Sequence, residues 1–456
     1  MLALDLNSGL HEILDGPDEP VRRVPGLALL EPPLALFGAA AARRARLAPL
    51  FVSRSHWEHP DDTGLSRGLP GVRTRGEVAY AQVASLWPVA ARPGRVTVSP
   101  AAGPEDIARL AGLFVAAARE PTAWIDAAVA ATASRPASRR ALWVEAEAGR
   151  TVLAELLREP AAADAGWIVR RGRVEVSRAV GLTAIDESMA RAIAQQFLKT
   201  ARFDPLAVAA SEQALHNALP DLQATLARGE PAVVALGEGA GRREIAVDGA
   251  ALAAGCAALV AEVLRLVQSA RQAGEPLTVH LGSRLAVLPG LGEALRALGE
   301  LQVDCLPIGA AAAGACAAPV ADDGAGQEAR WLTALAAVAP QEVAAAPLAA
   351  HDVPTHVLWQ GRAWPLTPRP LRLGRAPAGN GLRLDGPAAG LSREHCQLLL
   401  AGGEAVVEDL STYGTWLNGE RVRRRARLRV GDVLRLGMPG VELQLVAVEP
   451  PLPGGG

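Results

Sequence analysis

Lysine is almost missing from this chain: Lys199 is the only one, and every other basic side chain is arginine. Chemistry that needs a lysine therefore falls to that residue or to none. Cysteine is also scarce. Cys256, Cys305, Cys316 and Cys396 show neither metal-ligand spacing nor a paired framework, which excludes a zinc module and a disulfide scaffold. Reduced thiols in a cytoplasmic protein are the expectation. No run of about 18 uninterrupted apolar residues occurs, so no membrane span is expected. Asp5 stands where a signal peptide would begin its apolar stretch, and no basic segment precedes it. Charge of one sign is lacking too: the formal net charge of −2 gives no reason to expect a nucleic-acid or membrane partner.

What is present is length and apolar content. A chain of 456 residues, half of them apolar, is too long for one core, so two or three domains are expected. Up to residue 322, short apolar strands (MLALDL, GLALLE, RVTVSP, RALWVEAE, GWIVRRG, LTVHLG) alternate with amphipathic helical patterns over 104–118, 187–200 and 250–270. That alternation predicts an α/β domain. Residues 323–352 are rich in Ala, Pro and Gly and read as a linker with one helix over 328–338. From 353 to 449 the texture is all-β, with short alternating runs between Gly, Asn and Asp turns, as in a sandwich. The tail 450–456 is expected to fray. From His351 onward 13 arginines face 10 acidic residues, an excess that suits an anionic peptide ligand.

Four landmarks stand in order in the β-rich region: Leu373-Gly374-Arg375, Leu391-Ser392-Arg393-Glu394-His395, Asp409 to Gly419, and Gly431-Asp432 leading to Leu436-Gly437. A phosphate dianion needs charge-assisted donors, which arginine supplies as a rigid planar fork. Hydroxyls on sandwich loops add further donors. In residue type, order and spacing these landmarks resemble the forkhead-associated (FHA) family, whose modules read phosphothreonine peptides. The resemblance implies that Arg375 and Ser392 ligate the phosphate, with Arg393 or Thr412 assisting. It implies that Asn418 holds the peptide backbone and that His395 and Gly374 brace the loops. Tyr413 departs from the family, which often has Asn before the Gly-Thr pair. The arginines at 421, 423, 424, 425, 427 and 429 largely alternate and are expected to form one solvated strand face.

The first 320 residues resemble the nucleotide-binding domain of the seventy-kilodalton heat-shock chaperones, in the actin-like superfamily. The carrying residues are Leu4-Asp5-Leu6, Arg23 to Leu29, Phe37 to Arg44, Val96 to Pro100, Glu120-Pro121-Thr122-Ala123, the stretch 243–270 and Ile308-Gly309-Ala310-Ala311. The resemblance implies a two-lobed α/β fold in which glycine-rich hairpins cradle nucleotide phosphates. Here the first hairpin keeps Asp5 but has Asn7 and Ser8 before Gly9. The second reads Glu145-Ala146-Glu147-Ala148-Gly149, without the family's glycine run, and Glu147 would repel phosphate. The adenosine loop, Leu281-Gly282-Ser283-Arg284, lacks a double glycine, and around Gln223 the family's basic pair is absent. Lys199 lies far from the family's catalytic lysine. The expected site is vestigial: Asp5, Asn7, Ser8, Glu145, Gly149 and Gly282.

The sequence thus predicts a bacterial-type cytoplasmic adaptor or scaffold, not an enzyme, that needs no cofactor and binds a protein phosphorylated on threonine by a Ser/Thr kinase. A chaperone-like protein is a second candidate partner. The alternative is a chaperone-like ATPase, using ATP and Mg²⁺, recruited to phosphorylated clients by the C-terminal module.

Overall fold

The computed structural model describes residues 2–448 except 17–18, 87–93, 163–165, 319–329, 343–351, 380 and 386–389; the tail 450–456 lies outside them. The chain divides into two compact units, Met1–Leu266 with Thr278–Glu342, and Val267–Leu277 with Val343–Gly456.

The first unit is built on two six-stranded sheets of similar plan. In one, Ala3–Leu6 pairs antiparallel with Leu10–Leu14, which pairs antiparallel with Arg22–Pro25; on its other side it pairs parallel with Arg95–Val98, followed by Ala123–Asp126. In the other, Arg140–Ala146, Thr151–Pro160 and Trp167–Ser177 form the meander, and Leu277–Leu281 and Leu301–Cys305 lie beyond the first strand. The inner strands are covered on both faces, all four residues of Ala3–Leu6, Arg95–Val98 and Ala123–Asp126 being buried, and they are mostly apolar apart from Asp5, Arg95, Thr97 and Asp126. A short helix follows the last strand of each set, Ala127–Thr132 and Ala310–Ala317, and the two pack together in one core. Asp126 caps the first of them, its Oδ1 accepting from the Ala128 and Val129 N–H groups at 3.0 and 3.2 Å. Gly314 on the second must be glycine, since a Cβ would run into the Ala130 carbonyl. This doubled plan puts the turn between Leu6 and Leu10 and the turn between Ala146 and Thr151 at equivalent places in their sheets.

The helix expected over 328–338 is not formed. Arg330–Leu332 is a strand paired parallel to Ala123–Asp126, and Ala334–Ala337 is a strand paired antiparallel to Trp167–Ser177. Each sheet leaves an edge of unpaired backbone groups, and filling it outweighs the helical preference of alanine. These residues therefore belong to the first unit and not to a linker.

The helices Pro104–Ala116, Leu182–Ala201 and Gly249–Ala270 cover the expected helical patterns, and Arg75–Leu86 and Ala209–Ala227 are further helices. By length and composition alone, Gly249–Ala270 is apolar enough to cross a membrane. Its buried stripe of Leu252, Cys256, Val260, Val263 and Val267 has the spacing of a helix packed on a protein core, and much of the remainder is alanine.

In the second unit, two sheets of six and five strands face one another across a core that includes Val357, Leu373, Leu398, Val407, Leu434 and Leu445. The expected sandwich is observed. The single arginine-rich face is not. Glu420–Val422 and Arg425–Arg427 are separate strands in different sheets. Arg421 lies over Trp416, with 5.9 Å from its guanidinium carbon to the ring centre, whereas Arg427 pairs with Glu404 at 2.6 Å. The chain crosses between sheets at this corner, so sequence alternation does not map onto one face.

Candidate functional site

Three loops of the sandwich converge. Arg375 follows the strand Leu371–Gly374, Ser392 and Arg393 precede Cys396–Ala401, and Thr412 lies between Glu404–Asp409 and Thr415–Leu417. Backbone bonds clamp the first two loops: Arg375 N–H to Ser392 O and Ala376 N–H to Arg393 O, both 3.0 Å. Gly374 permits this approach, because a Cβ there would meet the Arg393 carbonyl. Ser392 Oγ lies 3.3 Å from Thr412 Oγ1 and accepts from the Thr412 N–H, also at 3.3 Å. The guanidiniums of Arg375 and Arg393 are exposed and make no hydrogen bond or ion pair with any described residue. Two free forks thus stand beside two hydroxyls on a fixed backbone, a donor set suited to a phosphate.

His395 explains why the loops hold. Its ring is fully buried; Nδ1 accepts from the Ser392 N–H at 3.1 Å, which leaves Nε2 to donate to the Gly414 carbonyl at 2.8 Å. Burial keeps it below the ordinary histidine value, consistent with a neutral ring. Asp409 Oδ1 accepts from the Ser411 N–H, the Ser411 hydroxyl and the Thr415 hydroxyl at 2.8–3.1 Å, and Ser411 Oγ accepts from Gly414 N–H at 2.7 Å. Both residues lie in the third landmark, Asp409 to Gly419, and hold its loop in shape. His395→Ala is expected to cost about 1–3 kcal/mol by orphaning buried polar groups. It should also weaken phosphopeptide binding, which urea denaturation and fluorescence anisotropy on the same protein would check.

Asn418 departs from the peptide-holding role expected of it. It sits at φ +51°, its Nδ2 donates to Asp432 at 2.7 Å, and its Oδ1 accepts from the Val433 N–H at 2.9 Å. The amide is used at both ends to shape the turn into Glu420–Val422, a left-handed position that asparagine tolerates. Exposed Tyr413, next to Thr412, occupies the loop position where the family often has asparagine.

In the first unit the structure brings together Asp5, Asn7, Ser8, Glu145 and Gly282, and it closes the space between them. Asn7 Nδ2 donates to the Ala146 carbonyl at 3.0 Å, and its Oδ1 accepts from Gly9 N–H at 3.0 Å. Ser8 Oγ accepts from Ala148 N–H at 3.2 Å, so the two turns are stitched directly to each other. Gly149 is drawn aside, its N–H bonded to Glu58 at 3.1 Å. Glu147 pairs with Arg150 at 2.6 Å and so does not confront a ligand as expected.

Arg284 fills the centre. Its side chain is 3% exposed and pairs with Asp5 at 2.6 Å, Glu12 at 3.2 Å and Glu145 at 3.3 Å. Gly282 allows the Glu145 carboxyl to lie against the backbone, where a Cβ would collide with it. Burial pushes Glu145 up to about 7, opposed by Arg284 and reinforced by repulsion from Glu12 and Asp5. Thr97 Oγ1 also donates to Asp5 at 2.6 Å. Sequence reasoning had Arg284 in view only as a residue beside missing glycines; that one buried guanidinium could serve three distant carboxylates was not legible.

Residues 371–437 match the family model of the FHA domain. FHA domains bind phosphothreonine-containing proteins. No curated protein matches the chain.

Proposed function

We propose that this protein is a phosphothreonine-directed adaptor whose first unit is an actin-like platform that has lost nucleotide chemistry. The observation that carries the adaptor reading is the pair of guanidiniums, Arg375 and Arg393, without a hydrogen-bond or ion-pair partner among the described residues, in the loops that carry the Ser392 and Thr412 hydroxyls, in a segment that matches the FHA family. The partner is a protein phosphorylated on threonine by a Ser/Thr kinase, met in the cytoplasm. Screening the full-length protein by anisotropy against a degenerate phosphothreonine library and its unphosphorylated twin tests this. Binding to the phosphorylated pool alone is the expected result; equal binding to both would end the reading.

Two observations support the platform reading. The doubled sheet plan, with its equivalent turns and paired helices, is what an actin-like fold requires. In this reading Arg284 and the direct bonds between the turns stand where phosphate and metal would lie in a nucleotide-binding relative. A ligand that binds only the folded state stabilises it by about 4 kcal/mol at a thousandfold excess over Kd. Millimolar Mg-ATP should nevertheless leave the melting temperature of the full chain unchanged and yield no ADP. A large upward shift would restore the ATPase alternative.

A further inference from the structure

The closed phosphate site does not close the whole first unit. A cavity of about 410 Å³, within the usual range for small-molecule sites, opens beside it. Its walls are mostly apolar, with Leu10, Leu27, Leu182, Leu219 and Val287 among them. One wall carries Arg54, a half-buried guanidinium with no hydrogen bond or ion pair to any described residue. Burial, and then repulsion from Arg46, hold it below the ordinary arginine value, against attraction from the Glu187 and Asp186 carboxylates, which lie beyond ion-pair distance. Other cations of the cavity are already committed: Arg46 to Glu187 and Glu212, Arg23 to Glu12, and Arg284 to its three acids.

We infer that this cavity binds a small amphipathic organic anion, with an apolar body along the leucines and one carboxylate or phosphate head on Arg54, without a metal ion. The inference goes beyond the adaptor reading and does not depend on it.

The backbone carrying Arg54 is fixed in advance. Ser53 Oγ lies 3.1 Å from His56 Nδ1, and Gln82 Oε1 takes both His56 Nε2 at 2.8 Å and Trp57 Nε1 at 2.9 Å, all in buried surroundings. A preorganised fork loses little entropy when an anion arrives. His216, also in the wall, is held down to about 4 by burial and is neutral at physiological pH; Asp186, pushed up to about 6, is engaged by Gln223 at 3.1 Å. Because Arg284 satisfies the neighbouring carboxylates, no acid cluster that could hold a divalent cation is left among the described residues, which sets this ligand apart from a metal-nucleotide.

Calorimetric titration of the full-length protein with naphthoate, naphthyl phosphate, uncharged naphthylmethanol and Mg-ATP tests the inference. At least one naphthyl anion should bind about tenfold or more tightly than the alcohol, and the tighter of the two identifies the head group. Arg54→Gln should remove that advantage. Ala39→Phe, at the exposed rim of the cavity, should weaken every naphthyl ligand and keeps the question open to decision should Arg54→Gln melt early. Equal binding of anion and alcohol, undiminished binding in a folded Arg54→Gln, or preferential metal-dependent binding of ATP would overturn it.

Discussion

Replacing Arg375 with alanine is expected to lower affinity for a phosphothreonine peptide by at least about tenfold. A charge-assisted hydrogen bond contributes roughly 1.5–3 kcal/mol, and about 1.4 kcal/mol is a factor of ten. The Arg375 side chain is exposed and makes no hydrogen bond or ion pair with a described residue, so its removal should leave the fold intact, with an unchanged urea midpoint. Ser392→Ala should act in the same direction and less strongly, since its hydroxyl already serves the Thr412 N–H. An Arg375→Ala protein that binds phosphopeptide like the wild type would show that the phosphate sits elsewhere.

Arg284→Met should destabilise the first unit by about 3–5 kcal/mol, the usual cost of stranding buried charges. The variant leaves Asp5, Glu12 and Glu145 inside the protein, each at most 3% exposed, without their shared cation. The loss should depend on pH. Glu145 already has a folded-state value raised to about 7, above its ordinary 4.5, so the folded state binds its proton more tightly than the unfolded chain does. Its contribution is therefore most favourable at low pH and falls as pH rises through 4.5 toward 7. Without Arg284 the folded-state value moves further up, and the penalty at about pH 8 should exceed that at about pH 5. Adding Glu145→Gln to Arg284→Met should recover part of the stability at the higher pH. Denaturant unfolding of the three proteins at both pH values measures this; an Arg284→Met midpoint matching the wild type would mean that the ion cluster contributes nothing net.

The loops of the segment that matches the FHA family were legible in the sequence because their determinants are local. Gly374-Arg375, Ser392 with His395, and Ser411 to Thr415 each lie within a turn whose residue types fix the backbone, so short strings carry most of the information. Asn418 shows the limit of that rule. Its partner Asp432 is 14 residues away, and the strand pairing that joins them decides whether the amide faces a ligand or a turn. The helices over 104–118, 187–200 and 250–270 followed from apolar spacing, but Arg330–Ala337 did not, since an alanine-rich stretch takes the conformation that an open sheet edge offers it.

The sequence alone determined that the turns flanking the central gap of the first unit carry Asn7, Ser8 and Glu147. Only the tertiary structure decided what fills the gap. Arg284 lies 279 residues from Asp5 and 139 from Glu145, and nothing local marks it as their partner. Three buried carboxylates demand a cation because desolvated charge is costly. Which cation answers depends on where two similar sheets place their turns.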